Sequence, residues 1–497
     1  MPPSRQSQIL IFLSAAAFAF AVRIASVDVR QVWLDEALTQ YAVALDWSGL
    51  IADRVSAGHS PLYFLIMKAI GLDGSDLRAL RIASAAMDSL AAGGLAATVA
   101  RYAGVRAGAF AALFYALNPL LLFWGQNARP YGMLMMWLAV GIYGAAGLIS
   151  GARQNVFARR DSIALSLGLG GAAATLTGGV IAAGVLALSP LASMSLRTNR
   201  CFLRAWGRAL MLPACVALAM AALISLPHAG AVQGVYWTTR YAPLSGQSAA
   251  IVLTETVVGD RSTQLQPPLP LGQGGMTALA GLLLILFAVC IRQALRDRAA
   301  TPAVLPMVTL AAAYPAVLLV VSLGTSLLVG RYFLPAVAAA LMLAAMGAAV
   351  LSRRASGRLL VAVLTAALCT ASLNQSLSPG WPRNPVALTL SGLILAQLHP
   401  DTRVLINPED DIGPSVQTQL LIDRVTAPVF PEIVAAQGTA AALAAIAKGP
   451  VFLVVTSRQW QDGYAPVLPE PTCLWTAEPA VLALWTDPSA PCPTVSG

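Results

Sequence analysis

Nine separate stretches of about twenty mainly apolar residues recur along this chain, and no other feature limits its fold so severely. A helix needs about 20 such residues to cross the hydrocarbon of a bilayer. The stretches lie near 8–26, 79–99, 107–125, 131–150, 209–227, 275–293, 302–324, 333–351 and 359–377. The run 162–195 is too long for one ordinary span, and Thr175, Thr177, Gly178 and Gly179 near its middle read as a tight hairpin between two shorter ones. The expectation is a polytopic α-helical membrane protein with about 11 transmembrane helices. Of 497 residues, 57% are hydrophobic and only 11% charged, against roughly a quarter charged in a soluble domain. A soluble enzyme, a disordered chain and a coiled coil are excluded.

The formal net charge is +9, which by itself suits a polyanion such as nucleic acid. Its distribution says otherwise. Alternate loops place Arg5, Arg101, Arg106, Arg153, Arg159, Arg160, Arg197, Arg200, Arg204, Arg208, Arg292, Arg296, Arg298, Arg353, Arg354 and Arg358 on one face with two acids, Asp161 and Asp297. The opposite face holds 15 basic residues and 19 acids, and Asp88 falls inside a span. Such asymmetry is a topology signal, with the basic face cytoplasmic. It puts the N-terminus inside and implies no nucleic-acid partner. The first apolar run is longer than a signal peptide's usual 7–15 residues, so despite Ala19-Phe20-Ala21 it reads as an uncleaved span.

Three outer segments are long enough to carry function: a loop at 27–78, a loop at 228–274 and a region at 378–497. The division expected is a transmembrane domain over 1–377 and a small extracytoplasmic α/β domain over 378–497. In the latter, Arg403–Ile406, Val451–Thr456 and Val481–Trp485 read as strands and Glu432–Lys448 as helix. Cys473 and Cys492 fall in this region, where an oxidising compartment permits a disulfide. His59, His228 and His399 are far apart and no CxxC occurs, so a protein-only metal cage is not expected.

Three short clusters carry chemistry. The first outer loop has Trp33-Leu34-Asp35-Glu36-Ala37, followed by His59-Ser60-Pro61-Leu62-Tyr63. A carboxylate near the interface, where a falling dielectric raises its pKa, can take a proton from a hydroxyl. The plainer reading is that Asp35 caps a helix beginning at Glu36. Next come Gln126-Asn127-Ala128-Arg129-Pro130-Tyr131 and then Arg331-Tyr332-Phe333-Leu334-Pro335. An arginine at the boundary either snorkels to headgroups or grips a phosphate through its planar fork. Two of them on the acidic face, with Asp35 and Glu36, offer a base and two cations at the depth of a lipid phosphate.

In order, sidedness and spacing, these motifs make residues 8–350 resemble the GT-C superfamily of integral-membrane glycosyltransferases. The branch is the one holding protein O-mannosyltransferases, aminoarabinose transferases of lipid A and lipopolysaccharide-core sugar transferases. The resemblance implies Asp35 as catalytic base with Glu36 beside it. It implies Arg129, Tyr131, Arg331 and Tyr332 as contacts to the donor phosphate, and His59 and Tyr63 on a surface helix walling the site. The sequence departs from the family's usual pattern at Ser60, commonly proline, and at Asn127, commonly glutamate; the latter removes a carboxylate from the rim.

The implied partners are a polyprenyl-phosphate sugar donor, an envelope glycolipid or protein acceptor, and membrane lipids, in a bacterial-type inner membrane. No cofactor is required, and a divalent metal would help without being essential. Glu255, with Asp260, Tyr236 and Trp237, either lines the acceptor entrance or belongs to a solvated loop. Asp88 is either functional or a structural hydrogen bond between helices. Pro408-Glu409-Asp410-Asp411 lacks calcium-loop spacing and reads as a solvated turn. The alternative to glycosyl transfer is a transporter or lipid flippase, but the halves show no repeat of the transporter kind.

Overall fold

The computed structural model describes residues 4–225, 243–259, 272–296, 301–324, 326–378, 385–397, 401–406, 412–423, 432–435, 438–486 and 492. His228, Tyr236, Trp237, Asp260, His399 and the run Pro408–Asp411 lie outside them. The described residues group into two compact units, Met1–Arg30 with Ala42–Gly380, and Gln31–Tyr41 with Trp381–Gly497.

The first unit is helical. Among its described helices, eight are long and apolar enough to cross a membrane, nine when one bent pair counts as a single span. These are α1 (Arg5–Ile24), α5 (Leu77–Ala103), α6 (Val105–Leu117) with α7 (Pro119–Gln126), α8 (Tyr131–Gly151), α12 (Arg200–Met220), α14 (Gly272–Arg296), α15 (Thr301–Val321), α16 (Leu334–Leu351) and α17 (Ala355–Leu377). The run 162–195 does break in its middle, at the extended residue Leu176 between α9 (Arg159–Thr175) and α10 (Thr177–Ala187). At 17 and 11 residues, both fall short of the ~20 a crossing takes, so length alone does not yield eleven spans. Short amphipathic helices α3 (Trp47–Ser56) and α4 (Leu62–Ala69) fill the first loop, α11 (Met194–Thr198) precedes α12, and α13 (Gly246–Val258) lies in the middle loop.

Small residues set the helix spacing, as they must where hydrophobicity cannot drive helices together in lipid. On α8, Gly141, Gly144 and Gly147 lie three residues apart and meet Gly168, Leu165 and Asp161 of α9; a Cβ at Gly144 or Gly168 would overlap the facing backbone. A Cβ at Gly93 of α5 would reach Phe12 O of α1 at 2.8 Å. Gly104, at φ 94°, turns the chain from α5 directly into α6. The α6–α7 pair bends by 64° at Asn118-Pro119. There the Asn118 side chain accepts from Leu121 N at 3.0 Å and donates to Thr256 O at 2.8 Å.

Asp88, on α5, is structural. Its Oδ2 accepts from Arg23 Nε of α1 at 2.7 Å and its Oδ1 from the Tyr115 hydroxyl of α6 at 2.8 Å, all fully buried. Arg81 does not pair with it; that guanidinium donates to Val27 O and Arg30 O at 3.0 and 2.9 Å.

In the second unit, β1 (Arg403–Ile406), β2 (Glu432–Ala435), β3 (Val451–Thr456), β4 (Cys473–Ala477) and β5 (Ala480–Trp485) form one sheet of order β2-β1-β3-β5-β4. The first three strands run parallel and the last two join antiparallel. Strand alternation gives two cores. Val404, Ile406, Phe452, Val454, Leu482 and Leu484 meet α18 (Pro385–Ala396) and α19 (Ile412–Asp423). Leu405, Leu453, Val455, Val481 and Ala483 meet α20 (Thr439–Ile446), Trp460 and Tyr464. The expected helix over 432–448 is corrected. Glu432–Ala435 pairs with β1 as a strand, and Gly438, at φ 84°, separates it from α20. Cys473 and Cys492 are disulfide-bonded, with Cα atoms 5.7 Å apart.

Candidate active site

The Trp124–Tyr131 and Gly330–Phe333 segments meet at the end of the first unit opposite Arg153. The Trp124 ring stands edge-on to Tyr131 with centroids 5.0 Å apart, and the Arg331 guanidinium lies 5.4 Å from the same Trp124 ring. Arg331 also lies 5.5 Å from the Tyr332 ring. Cation–π contact of this kind orients a guanidinium without consuming its in-plane donors.

Both arginines precede helix starts. Arg129 occupies the turn between α7 and α8 and is buried at 6% exposure. Arg331 sits half-buried on a 3₁₀ turn, Gly330–Phe333, leading into α16. The N-termini of α8 and α16 add the positive ends of two helix dipoles to two permanent charges. An anion is the chemistry this arrangement suits.

The turn bearing Arg129 is held from behind. Gln126 Nε2 donates to Arg23 O at 2.6 Å and to Ser26 Oγ at 2.7 Å. Its Oε1 accepts from Arg30, whose guanidinium also lies 4.1 Å from the Phe123 ring. Asn127, where the resembling family often has glutamate, donates to Phe123 O at 2.8 Å and so ends α7. Gln126 heads the motif that carries Arg129, but its partner Arg30, 96 positions away, has no local signal in the sequence.

Glu255 does not belong to a solvated loop. It is 9% exposed on α13, and a Cβ at Gly330 would come within 2.6 Å of its Oε2. Its carboxylate therefore lies against the turn that carries Arg331. Tyr332 is fixed through its backbone, its carbonyl accepting from the Tyr314 hydroxyl at 2.9 Å.

Tyr63 is fully buried in α4. It donates to or accepts from Ser84 Oγ at 2.7 Å and shares a core with Ala128 and Met133, beneath the Arg129 turn rather than at an opening. His59 is half-buried in the loop before α4, not on a helix, with its amide donating to Arg54 O at 2.8 Å. Ser60, where the family usually has proline, donates to Ala174 O of α9.

Asp35 and Glu36 belong to the second unit. Helix α2 (Leu34–Ala44) begins before them, with Glu36 N and Ala37 N bonded to Trp33 O at 3.0 and 3.1 Å. The reading of Asp35 as cap of a helix starting at Glu36 is thus corrected: both acids lie in the first turn, where the dipole favours them. Asp35 is half-buried and Glu36 fully buried. Among the described residues, no cluster of three or more His, Cys, Asp or Glu could hold a metal.

No protein-family profile and no curated protein matches the sequence. Solved structures do. ArnT from Cupriavidus metallidurans bound to undecaprenyl phosphate aligns over 98% of this chain and 100% of its own, with TM-score 0.54 and 15% identity. This is a GT-C fold. The apo form of the same ArnT aligns over 96% of this chain and 97% of its own, at TM-score 0.53 and 14% identity. The Archaeoglobus fulgidus oligosaccharyltransferase, in the apo form, aligns over 91% of this chain and 70% of its own, at 0.54 and 13%. At such identities the likeness establishes the architecture. Within the GT-C fold, the Arg129 and Arg331 turns are assembled by elements of the first unit alone.

Proposed function

We propose that this chain is an inverting glycosyltransferase that moves a sugar from a polyprenyl-phosphate donor to an acceptor hydroxyl at the outer face of a bacterial-type inner membrane. The observation that carries the reading is the alignment, over nearly the whole of both chains, with a transferase-fold protein whose structure holds undecaprenyl phosphate. The paired arginine-bearing helix starts around Trp124 support it, since a lipid-linked phosphate is the anion they suit. The Cys473–Cys492 disulfide supports an extracytoplasmic second unit, because such bonds persist in oxidising compartments. The acceptor is an envelope glycolipid or protein.

In the proposed reaction Asp35 takes the proton of the acceptor hydroxyl, with Glu36 beside it in the sequence. The hydroxyl oxygen forms a bond to the anomeric carbon as the bond from that carbon to the phosphate oxygen breaks. The electron pair leaves with the lipid phosphate, and one displacement inverts the centre. Arg129 and Arg331 meet charge that grows as the bond breaks, where preorganised donors act most. A single phosphate places less charge on the site than a pyrophosphate, so the two guanidinium groups suffice and a divalent metal is an aid only. Tyr131 and Tyr332 join them at the donor phosphate, and His59, Tyr63 and Glu255 shape the surroundings.

The test is transfer by the purified full chain from a synthetic polyprenyl-phosphate sugar, with envelope glycolipids of a deletion strain identifying sugar and acceptor by mass spectrometry. Asp35→Asn abolishes transfer while the protein still inserts and folds. Arg129→Gln or Arg331→Gln each lowers kcat by about 10²–10³-fold, the usual loss for one preorganised donor. Full activity in Asp35→Asn, or unchanged donor kinetics in both arginine variants, overturns the mechanism. Activity retained in EDTA is the expected result for a metal-independent site.

A further inference from the structure

At the end of the first unit away from Trp124, a groove of about 570 Å³ runs between α9 and α12. That volume falls in the ~300–1,000 Å³ range of small-molecule sites. One wall presents Arg159, Ser162 and Ser166 from α9, the other Arg204, Ala205 and Arg208 from α12. Arg159, Ser162 and Ser166 follow one another at three and four residues, as do Cys201, Arg204 and Arg208, so each set is one helix face. Ile163 and Ala209 add apolar surface along the same walls.

The charge is one-sided. Three guanidinium groups from two helices border one volume, and no carboxylate lines it. The nearest acid in sequence, Asp161, is turned to the other side of α9, against Gly147 of α8 and 3.9 Å from Arg101. Among the described residues, Arg159, Arg204 and Arg208 make no ion pair or hydrogen bond within the protein.

The mouth is built rather than incidental. Asn199 caps α12 through Phe202 N at 3.0 Å and donates to Ala152 O and Asn155 Oδ1 at 3.2 and 2.9 Å, tying the two interhelical linkers together. Phe157 packs on Phe202 and Phe202 on Trp206, whose indole donates to Ala187 O at 3.0 Å. The walls are therefore held apart at a fixed spacing before anything binds, which lowers the ordering penalty of binding.

We propose that this groove binds the phosphate headgroup of an anionic glycerophospholipid, such as phosphatidylglycerol, with acyl-chain carbons lying along Ile163 and Ala209. Arginines flanking a groove between apolar helices on the basic side are the chemistry that recognises such headgroups. The choice of a lipid over a free anion rests on the apolar strip continuing from the basic mouth. This site stands apart from the transferase reading and does not depend on it.

The experiment is native mass spectrometry of the detergent-purified full chain titrated with phosphatidylglycerol, phosphatidylcholine or inorganic phosphate. The wild-type protein retains phosphatidylglycerol in preference to phosphatidylcholine. Each single change, R159Q, R204Q or R208Q, weakens phosphatidylglycerol about fivefold, and the triple variant on the order of a hundredfold, from the usual contribution of one basic side chain at an anionic surface. The control R353Q/R354Q/R358Q removes the same charge from the same face and leaves retention unchanged. Loss in the control equal to that in the groove variant, retention in the groove variant, or displacement of the lipid by millimolar phosphate overturns the proposal. Should the triple variant fail to fold, the three single variants give the reading.

Discussion

Replacing Asp88 with Asn tests whether the buried network behind the Arg129 turn holds the bundle together. Asp88 and Arg23 are 1% and 0% exposed, paired through Nε at 2.7 Å, with the Tyr115 hydroxyl on the second carboxylate oxygen. An amide keeps the shape but offers one acceptor where two donors converge, and leaves the Arg23 charge uncompensated. Arg23 and the Tyr115 hydroxyl then compete for that one oxygen, and beyond it Arg23 has its bond to Ala19 O at 3.1 Å and its place 5.6 Å from the Tyr115 ring. Breaking one side of a buried pair costs about 3–5 kcal/mol, whereas removing both charges is often nearly neutral. Asp88→Asn and Arg23→Met should therefore each destabilise the protein by about that amount, and the double variant by less than either. Unfolding of the full chain by SDS in mixed micelles, followed by tryptophan fluorescence, reads the difference. Additive losses, or an Asp88→Asn variant within ~1 kcal/mol of the wild type, would refute the reasoning. Because Arg23 O also receives Gln126 Nε2, the Asp88→Asn variant should further show reduced sugar transfer.

Gly168→Val should abolish folded protein in membranes, since its Cβ would overlap the backbone of Gly141, while Gly184→Ala, with open space around it, should leave yield and melting unchanged. Replacing Cys473 and Cys492 with Ser opens a loop of sequence separation 19 and should destabilise the second unit by about 3 kcal/mol, the usual effect for a loop of that length; limited proteolysis measures it. Hydrogen bonds from Ser48 and then Gly49 hold the Asp46 carboxyl below the usual range. Its folded pKa is depressed, so the stability it lends α3 is present above the unfolded value of about 3.9 and is lost as pH falls through the folded one. Hydrogen exchange at the Gly49 amide should quicken on acidification below about pH 4, and Asp46→Asn should remove that dependence.

The spans, the charge asymmetry and the order of the short motifs are legible in sequence because each depends on residues close together along the chain. The partner of Asp88 is not. Its nearest basic neighbours in sequence are Arg78 and Arg81, yet Arg23, 65 positions away, reaches it. Which residue of α1 faces Asp88 depends on the rotation of two helices about their axes, and that rotation is set by close approaches such as Gly93 to Phe12. Glu255 stayed open between the acceptor entrance and a solvated loop for the same reason: its neighbours in sequence look like a loop, and its burial shows only against the backbone at Gly330. At Glu432 the error has the opposite origin. The local pattern fits a helix, but pairing with β1 supplies backbone bonds that periodicity cannot foresee. Gly125 links the buried Asp88–Arg23 pair to the candidate site. Inside the Trp124–Tyr131 motif it looks like a spacer, yet a Cβ there would meet Asp88 Oδ2 at 2.5 Å and Arg23 Nε at 3.0 Å. The missing side chain is what lets a buried ion pair lie directly behind the turn that presents Arg129.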